Sequence, residues 1–356
     1  MASNNHFNLD TVKFRVTARD VEFKIPKTRF SVILDEDYEF ENERQFGIKV
    51  PGAYGNHNIV ISSPNSGRSL IVEGALAGFL YGQNFFTTHQ LLPLVIQCLK
   101  RACKEIEFSP SAEQRTRWEA GKDIFIELVD IAVNFGLGSE TTVDSGLRQA
   151  RAQALFRNFA TGAHGKTCYI KPDNGRSWEA KFYGKRSEMT HSGRHERLPI
   201  GAQLFELSDG VLRAEVRAKR AELSELKLAS LAAWSETSAK EIFVRRYKQC
   251  DLKKITSGPI EESELRALPM RLRVAYCMHK LAGATGLEEL VFGKRTRQRQ
   301  LAAFRERGVD LACPNLEGIE TVDLPSLLVP SNALVVPKWL VEGGFAPDLK
   351  KETYTE

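Results

Sequence analysis

Apolar and polar residues alternate near the start of the chain. Val12, Phe14 and Val16 fall on one face and Lys13 and Arg15 on the other, the period of a half-buried strand over 10–16. Residues 21–40 carry more strand-like pattern, broken at Pro26 and at the acidic turn Asp35–Asp37. Ile59–Ile61 and Leu70–Glu73 read as a hairpin across Pro64-Asn65-Ser66-Gly67. The period then changes: Leu91, Leu94, Val95, Cys98 and Leu99 recur at helical spacing and predict a helix over 88–106 with Thr88 as N-cap. Ile124–Phe135 is a dense β-branched run that predicts a central strand, and 144–159 a second amphipathic helix. Cys168–Ile170, Trp178–Tyr183 and Gly210–Ala218 predict three more strands. After Ala218 the composition turns to Leu, Ala, Arg and Glu. Helices are expected over 222–234, 261–282 and 294–307, before an apolar, β-like stretch at 325–337.

This order is α+β: an antiparallel sheet backed by helices, followed by a mainly helical C-terminal region. The expected organisation is a first domain at 1–222, a helical region at 223–345 and a tail at 346–356. A helix-turn-helix-like segment is expected at 264–310, on either side of Gly283-Ala284-Thr285-Gly286.

Composition narrows the class. Apolar content of 42% and charged content of 27% are those of a globular protein. The best apolar run, Leu91–Ile96, is too short to span a membrane, and the N-terminus has no apolar signal core, so a cytosolic protein is expected. The six cysteines form no C-x-x-C pair and read as reduced thiols. His191 and His195 are spaced i, i+4, but their Thr-His-Ser-Gly-Arg-His context reads as a solvated loop. The net charge of +5 is too mild to argue nucleic-acid binding by itself. Its placement says more, because Lys and Arg crowd 181–197 and 294–307.

Four stretches could carry chemistry. In 178–188 strand alternation puts Glu179, Lys181, Tyr183 and Lys185 on one face, so the tyrosine stands beside two cations that would favour its phenolate. The same pattern is that of an ordinary strand with a half-exposed tyrosine. In 124–135, Asp130 and Asn134 share a face of an apolar strand, where a carboxylate needs a partner, a proton or a metal. Glu73 ends another apolar strand. Lys294, Arg295, Arg297, Arg299 and Arg305 line one face of the last predicted helix, suited to a major groove or to solvent.

These pieces, in this order, resemble the replication initiators of filamentous phages, the gene II/gene X family. Residues 10–15 look like its opening strand. Glu73 through Leu80-Tyr81-Gly82-Gln83-Asn84-Phe85 is similar to its Glu…Leu-x-Gly-His-Asn-x-Phe segment, with Gln83 in place of the histidine. Residues 129–135 resemble its Ile-Asp strand, Tyr183-x-Lys185-x-x-Glu188 its Tyr-x-Lys-x-x-Glu motif, and 212–217 its Arg-x-Glu strand. The resemblance implies an HUH-like, rolling-circle nickase with Tyr183 as nucleophile and Lys185 and Glu188 beside it. It also implies Mg²⁺ or Mn²⁺ at Glu73 and Asp130, with Asn134 as a neighbour, and DNA contacts from Lys181, Arg186 and the basic C-terminal residues. Expected partners are the double- and single-stranded replication origin and the host helicase and polymerase, in the bacterial cytoplasm, without membrane or ATP. The rival readings are a non-enzymatic DNA-binding regulator of the gene X type and a plasmid mobilisation relaxase.

Overall fold

The computed structural model describes residues 6–18, 22–25, 29–34, 40–64, 67–156, 167–171, 175–250, 252, 262–278, 296, 299–300, 303–304 and 323–348. Ten strands are formed among the described residues: β1 (Asn8–Thr17), β2 (Arg29–Leu34), β3 (Phe40–Phe46), β4 (Ile48–Val50), β5 (Ile59–Ser62), β6 (Ser69–Ala75), β7 (Ile124–Gly136), β8 (Cys168–Ile170), β9 (Trp178–Gly184) and β10 (Val211–Lys219). Eight of them build one sheet in the order β4-β5-β6-β1-β7-β10-β9-β8, while β2 and β3 pair separately. The pairs of the large sheet are antiparallel. The architecture is thus the expected α+β one, with the sheet wider than the pattern alone implied.

The two faces of this sheet differ in chemistry. One is apolar: Val12, Phe14 and Val16 of β1, Ile131, Val133 and Phe135 of β7, and Leu212, Ala214 and Val216 of β10 are all buried in the main core. Helices α2 (Leu91–Glu105), α4 (Glu140–Phe156), α7 (Arg220–Glu225) and α8 (Ser238–Cys250) supply further residues to that core or pack on these strands. The other face carries the alternate residues; on β9 and β10 these are polar or charged, and β7 adds Asp130 and Asn134. A second cluster of Phe85, Phe86, Met189, Leu198, Leu204, Val211, Leu340 and Ala346 stands apart from the main core. It draws on α5 (Lys185–Ser192), on α6 (Gly201–Leu207) and on the C-terminal helix Lys338–Glu342.

Several elements depart from the sequence expectations for identifiable reasons. Helix α2 starts at Leu91 with Gln90 as N-cap; Thr88 caps nothing in the helix, and its Oγ1 accepts from the Gln90 amide at 3.0 Å. The helix expected at 222–234 stops at Glu225, because Lys227 takes a left-handed conformation (φ 60) that ends it. The helix expected at 261–282 is broken near Pro269, which cannot donate its i→i−4 bond, into Glu262–Ala267 and 270–278. The β-like stretch at 325–337 is a helical turn, Leu324–Leu327, capped by Asp323, then a 3-10 turn, Pro330–Asn332; Ala333 alone keeps a bridge, to Phe135. Its prolines pre-set helical φ and remove ladder donors. Helices α1 (Leu76–Tyr81), α3 (Ala112–Glu119) and α8 were not legible as such. Most of the helix expected at 294–307, with Lys294, Arg295, Arg297 and Arg305, lies outside the described residues; Arg299 is helical and exposed.

Candidate active site

The register of the three strands β7, β10 and β9 sets the polar residues in rows. Asn134 faces Arg213, which faces Tyr183; Ala132 faces Glu215, which faces Lys181; Asp130 faces Arg217, which faces Glu179. Neighbouring strands are roughly 4.8 Å apart, so a cation and an anion in adjacent rows can meet directly. Gly184 ends β9 and Lys185 opens α5, so the sheet alternation expected to reach Lys185 stops one residue before it. Lys185 nevertheless returns to the same site from the first turn of the helix.

The resulting network is continuous. The Tyr183 hydroxyl donates to Glu215 Oε1 at 2.5 Å, and Arg213 Nε donates to the same oxygen at 2.8 Å. Lys181 pairs with the other Glu215 oxygen. Arg213 also reaches Asp10 Oδ2 at 2.8 Å and Asn134 Oδ1 at 3.2 Å. Asp10 accepts from Asn84 at 3.2 Å, and Lys185 Nζ bridges Asn84 Oδ1 at 3.2 Å and Glu188 Oε2 at 2.8 Å. Tyr183, Lys185 and Glu188, expected to act together, are thus brought together. Tyr183 is largely covered, at 9% exposure.

This environment sets protonation in a way that reverses one expectation. Burial, and then the charge of Glu215, raise the Tyr183 phenol well above its ordinary value, against the pull of Arg213. Burial works against the Glu215 carboxylate, but Lys181 and Arg213 outweigh it and hold Glu215 far below the usual carboxylate range. Burial lowers Lys185, against the pull of Glu188. Burial also opposes the Glu188 carboxylate, and Lys185 overcomes it, so the net shift is downward. The resting state is a neutral phenol hydrogen-bonded to a carboxylate anion.

The expected metal pair is not brought together. Glu73 is on β6 and Asp130 on β7, with β1 between them, a separation of roughly 10 Å across the sheet. The Glu73 side chain is 46% exposed and pairs with Lys13 at 3.2 Å. Asp130 is buried, and both its oxygens are taken by Arg217 at 2.6 and 2.7 Å. Burial pushes its carboxyl up, and the Arg217 fork opposes that. Among the described residues no group of three His, Cys, Asp or Glu is arranged to hold a metal ion. As placed, Glu73 and Asp130 do not fit one Mg²⁺ or Mn²⁺. Asn134 donates to Phe85 O at 2.7 Å and accepts from Arg213, a positioning role. Gln83 is equally committed: its amide nitrogen donates to Phe86 O and Phe345 O, and its oxygen accepts from the Phe85 and Phe86 amides, all between 2.6 and 2.9 Å.

Of the expected DNA-contacting residues, Lys181 is bound to Glu215, and Arg186 meets Asp209 at 3.2 Å and lies over the Phe205 ring. His191 lies in α5 rather than in a loop, and His195 in a 3-10 turn, stacked on Phe205. Sequence reasoning assigned no role to Asp10, Asn84, Arg213 or Glu215. The signal for the last two was present, as charges inside an apolar alternation from Leu212 to Val216. Asp10 had none, since a bulge between Leu9 and Val12 turns it toward Arg213.

Comparison with known proteins places the chain in a family. Residues 15–237, more than half of the chain, match the family model for the N-terminal region of the phage replication-associated gene II protein. That stretch holds Tyr183, Lys185, Glu188, Arg213 and Glu215. No curated protein and no solved structure matches the chain. The chain belongs to the family of phage replication-associated gene II proteins, whose role lies in the initiation of phage DNA replication.

Proposed function

We propose that the protein is a rolling-circle initiator that nicks the origin by transesterification at Tyr183. The observation that carries this reading is the 2.5 Å hydrogen bond from the Tyr183 hydroxyl to Glu215, at a point flanked by Lys181 and Arg213. A phenol is a weak nucleophile at neutral pH, and burial makes it weaker still, so it needs a base aligned on its proton. Glu215 is that base. Lys181 and Arg213 hold its basicity well below that of a free carboxylate, so its contribution is alignment in a site shielded from water.

Tyr183 Oη attacks the scissile phosphorus, and its proton passes to Glu215. The bond from phosphorus to the 3′-oxygen breaks, and that oxygen takes a proton from the Lys185 ammonium. Burial lowers Lys185, which makes it a better acid than an exposed lysine. The products are a 3′-OH primer and a 5′-phosphotyrosyl link that stores the phosphodiester energy, so the reverse attack closes the strand without ATP. Lys181 and Arg213 keep Glu215 ionised and turned to the phenol. The origin, and host helicase and polymerase acting in the bacterial cytoplasm, are the partners such a reaction needs. Among the described residues no helix is long and apolar enough to cross a membrane.

The test is incubation with labelled supercoiled DNA carrying the phage origin, in buffers with Mg²⁺ or Mn²⁺. A denaturant-resistant protein–DNA adduct is expected, and it is lost in Tyr183→Phe. An adduct that survives Tyr183→Phe assigns the nucleophile elsewhere, and no nicking of any supercoiled or single-stranded substrate removes the enzymatic reading in favour of a DNA-binding regulator.

A further inference from the structure

Beside the Tyr183 network lies a small pocket lined by His57, Asn84, Lys185, Glu188, Arg194 and His195, among others. Of these, the nicking scheme uses Lys185. His57 is buried, and no hydrogen bond to its imidazole is formed among the described residues. Its ring is seated on Gly78, where a Cβ would lie 2.4 Å from His57 Cγ. Burial holds it neutral at physiological pH, with its pKa lowered to about 4 despite Asp10 and Glu188 nearby. The Nδ1 of His195 is also buried without a partner, while its ring stacks on Phe205 at 4.8 Å. Arg194 stands exposed at the mouth. Glu188, the one carboxylate of the lining, is committed to Lys185. The pocket therefore offers N–H donors and positive charge to whatever enters.

An aromatic platform adjoins it. Gly82, which lines the pocket, has φ +81, and a Cβ there would lie 2.6 Å from the Tyr54 ring and 2.7 Å from Leu198. Tyr54 is thus laid directly over the pocket wall. It is 49% exposed, although a ring of this size is usually covered, and it is held at φ 60, a left-handed conformation rare for a non-glycine residue. Phe345 backs it at 6.0 Å, and Arg197 donates to the neighbouring Gly55 carbonyl at 3.1 Å. An exposed tyrosine in a constrained backbone, beside the unpartnered His195 Nδ1, the His57 imidazole and two cations, matches the two halves of a nucleotide: a base to stack and a phosphate to bind.

The geometry points to a single-stranded DNA subsite in which a phosphate sits among His57, Lys185, Arg194 and His195 and its base stacks on Tyr54. It rests on the nicking reading for its meaning, since it would hold the nucleotide next to the scissile position and so choose which phosphate meets Tyr183. The test uses the full chain carrying Tyr183→Phe, so that no covalent link forms, titrated with a short fluorescent oligothymidylate. Tyr54→Ala is expected to weaken binding roughly tenfold, the scale of one base–aromatic stack, while Tyr54→Phe keeps it. His57→Gln is expected to weaken it too. Thymidine monophosphate, in excess over inorganic phosphate at equal concentration, should move the His57 ring resonances in NMR spectra. Unchanged oligonucleotide affinity in folded Tyr54→Ala and His57→Gln proteins overturns the subsite. So do His57 resonances that stand still, or that answer inorganic phosphate as strongly as the nucleotide. These measurements involve no cleavage, so they can overturn the subsite without touching the nicking reading, which stands or falls on the Tyr183 adduct.

Discussion

The Lys185 ammonium is buried between Glu188 and Asn84, and burial lowers its pKa from 10.5. As the proton donor to the leaving 3′-oxygen it must be charged. The rate of adduct formation should therefore fall as pH rises through this lowered value, well before Tyr183, which is raised, begins to ionise. Lys185→Arg moves the fall toward higher pH or abolishes the reaction, and single-turnover nicking from pH 6 to 10 reads this out. A rate that climbs throughout that range means that phenol ionisation, not leaving-group protonation, limits the step. Glu215 gives a second residue-level expectation. Its folded pKa lies below its ordinary 4.5, so its stabilising contribution is complete above that value and is lost as pH falls through the folded pKa. Glu215→Gln leaves Lys181 without its anion and Arg213 with Asp10 alone, and should cost about 3–5 kcal/mol at neutral pH. The deficit shrinks below the ordinary carboxylate value, where the unfolded parent takes up a proton that folded Glu215 does not. Urea unfolding at pH 7 and pH 3 measures both.

At the scale of elements, the alternation that revealed β9 also revealed its function-bearing face. Trp178, Ala180 and Phe182 are buried in the core, and Glu179, Lys181 and Tyr183 turn to the polar side, as the period of two dictates. The long apolar run of β7 was legible for the same reason, and so was the oddity of Asp130 within it. What could not be read was which charge would answer each one. Arg217 reaches Asp130, and Arg213 reaches Asp10, through strand order and a bulge that no local pattern encodes. Helix α8 was missed because its polar residues outnumber the core positions Ala239, Ile242 and Phe243. Gln83 shows the limit of motif reasoning. Its place in the motif belongs to a histidine elsewhere in the family resemblance, yet here the amide closes a turn by four hydrogen bonds to backbone groups. Gln83→His can satisfy at most one donor and one acceptor of that set. It should lose more than about 2 kcal/mol of stability through unpaired buried amides and carbonyls. Isothermal titration with Mn²⁺ should show no tighter site in the variant; a gain in affinity would mean that the histidine restores a metal ligand.

The whole molecule ties its C-terminal residues to the site. Leu334 donates its amide to Asn134 O at 2.8 Å, and Phe345 accepts from Gln83. Leu340, fully buried, packs in the cluster that includes Phe85, Phe86 and Met189. Those three lie next to the working residues: Phe85 O holds Asn134 and Arg213, and Met189 shares α5 with Lys185 and Glu188. A helix more than a hundred residues away in sequence from the tyrosine therefore clamps the segment over it. Leu340→Ala removes the centre of that clamp and should cost about 2–5 kcal/mol, as buried leucine truncations do. Because the cluster is separate from the main core, the sheet should survive, with far-ultraviolet dichroism close to the parent's. Adduct formation should drop more than the remaining folded fraction accounts for, since Asn84 and Lys185 lose their fixed approach to Tyr183. If nicking per folded molecule is unchanged while the melting temperature falls, the C-terminal clamp stabilises the fold without positioning the chemistry.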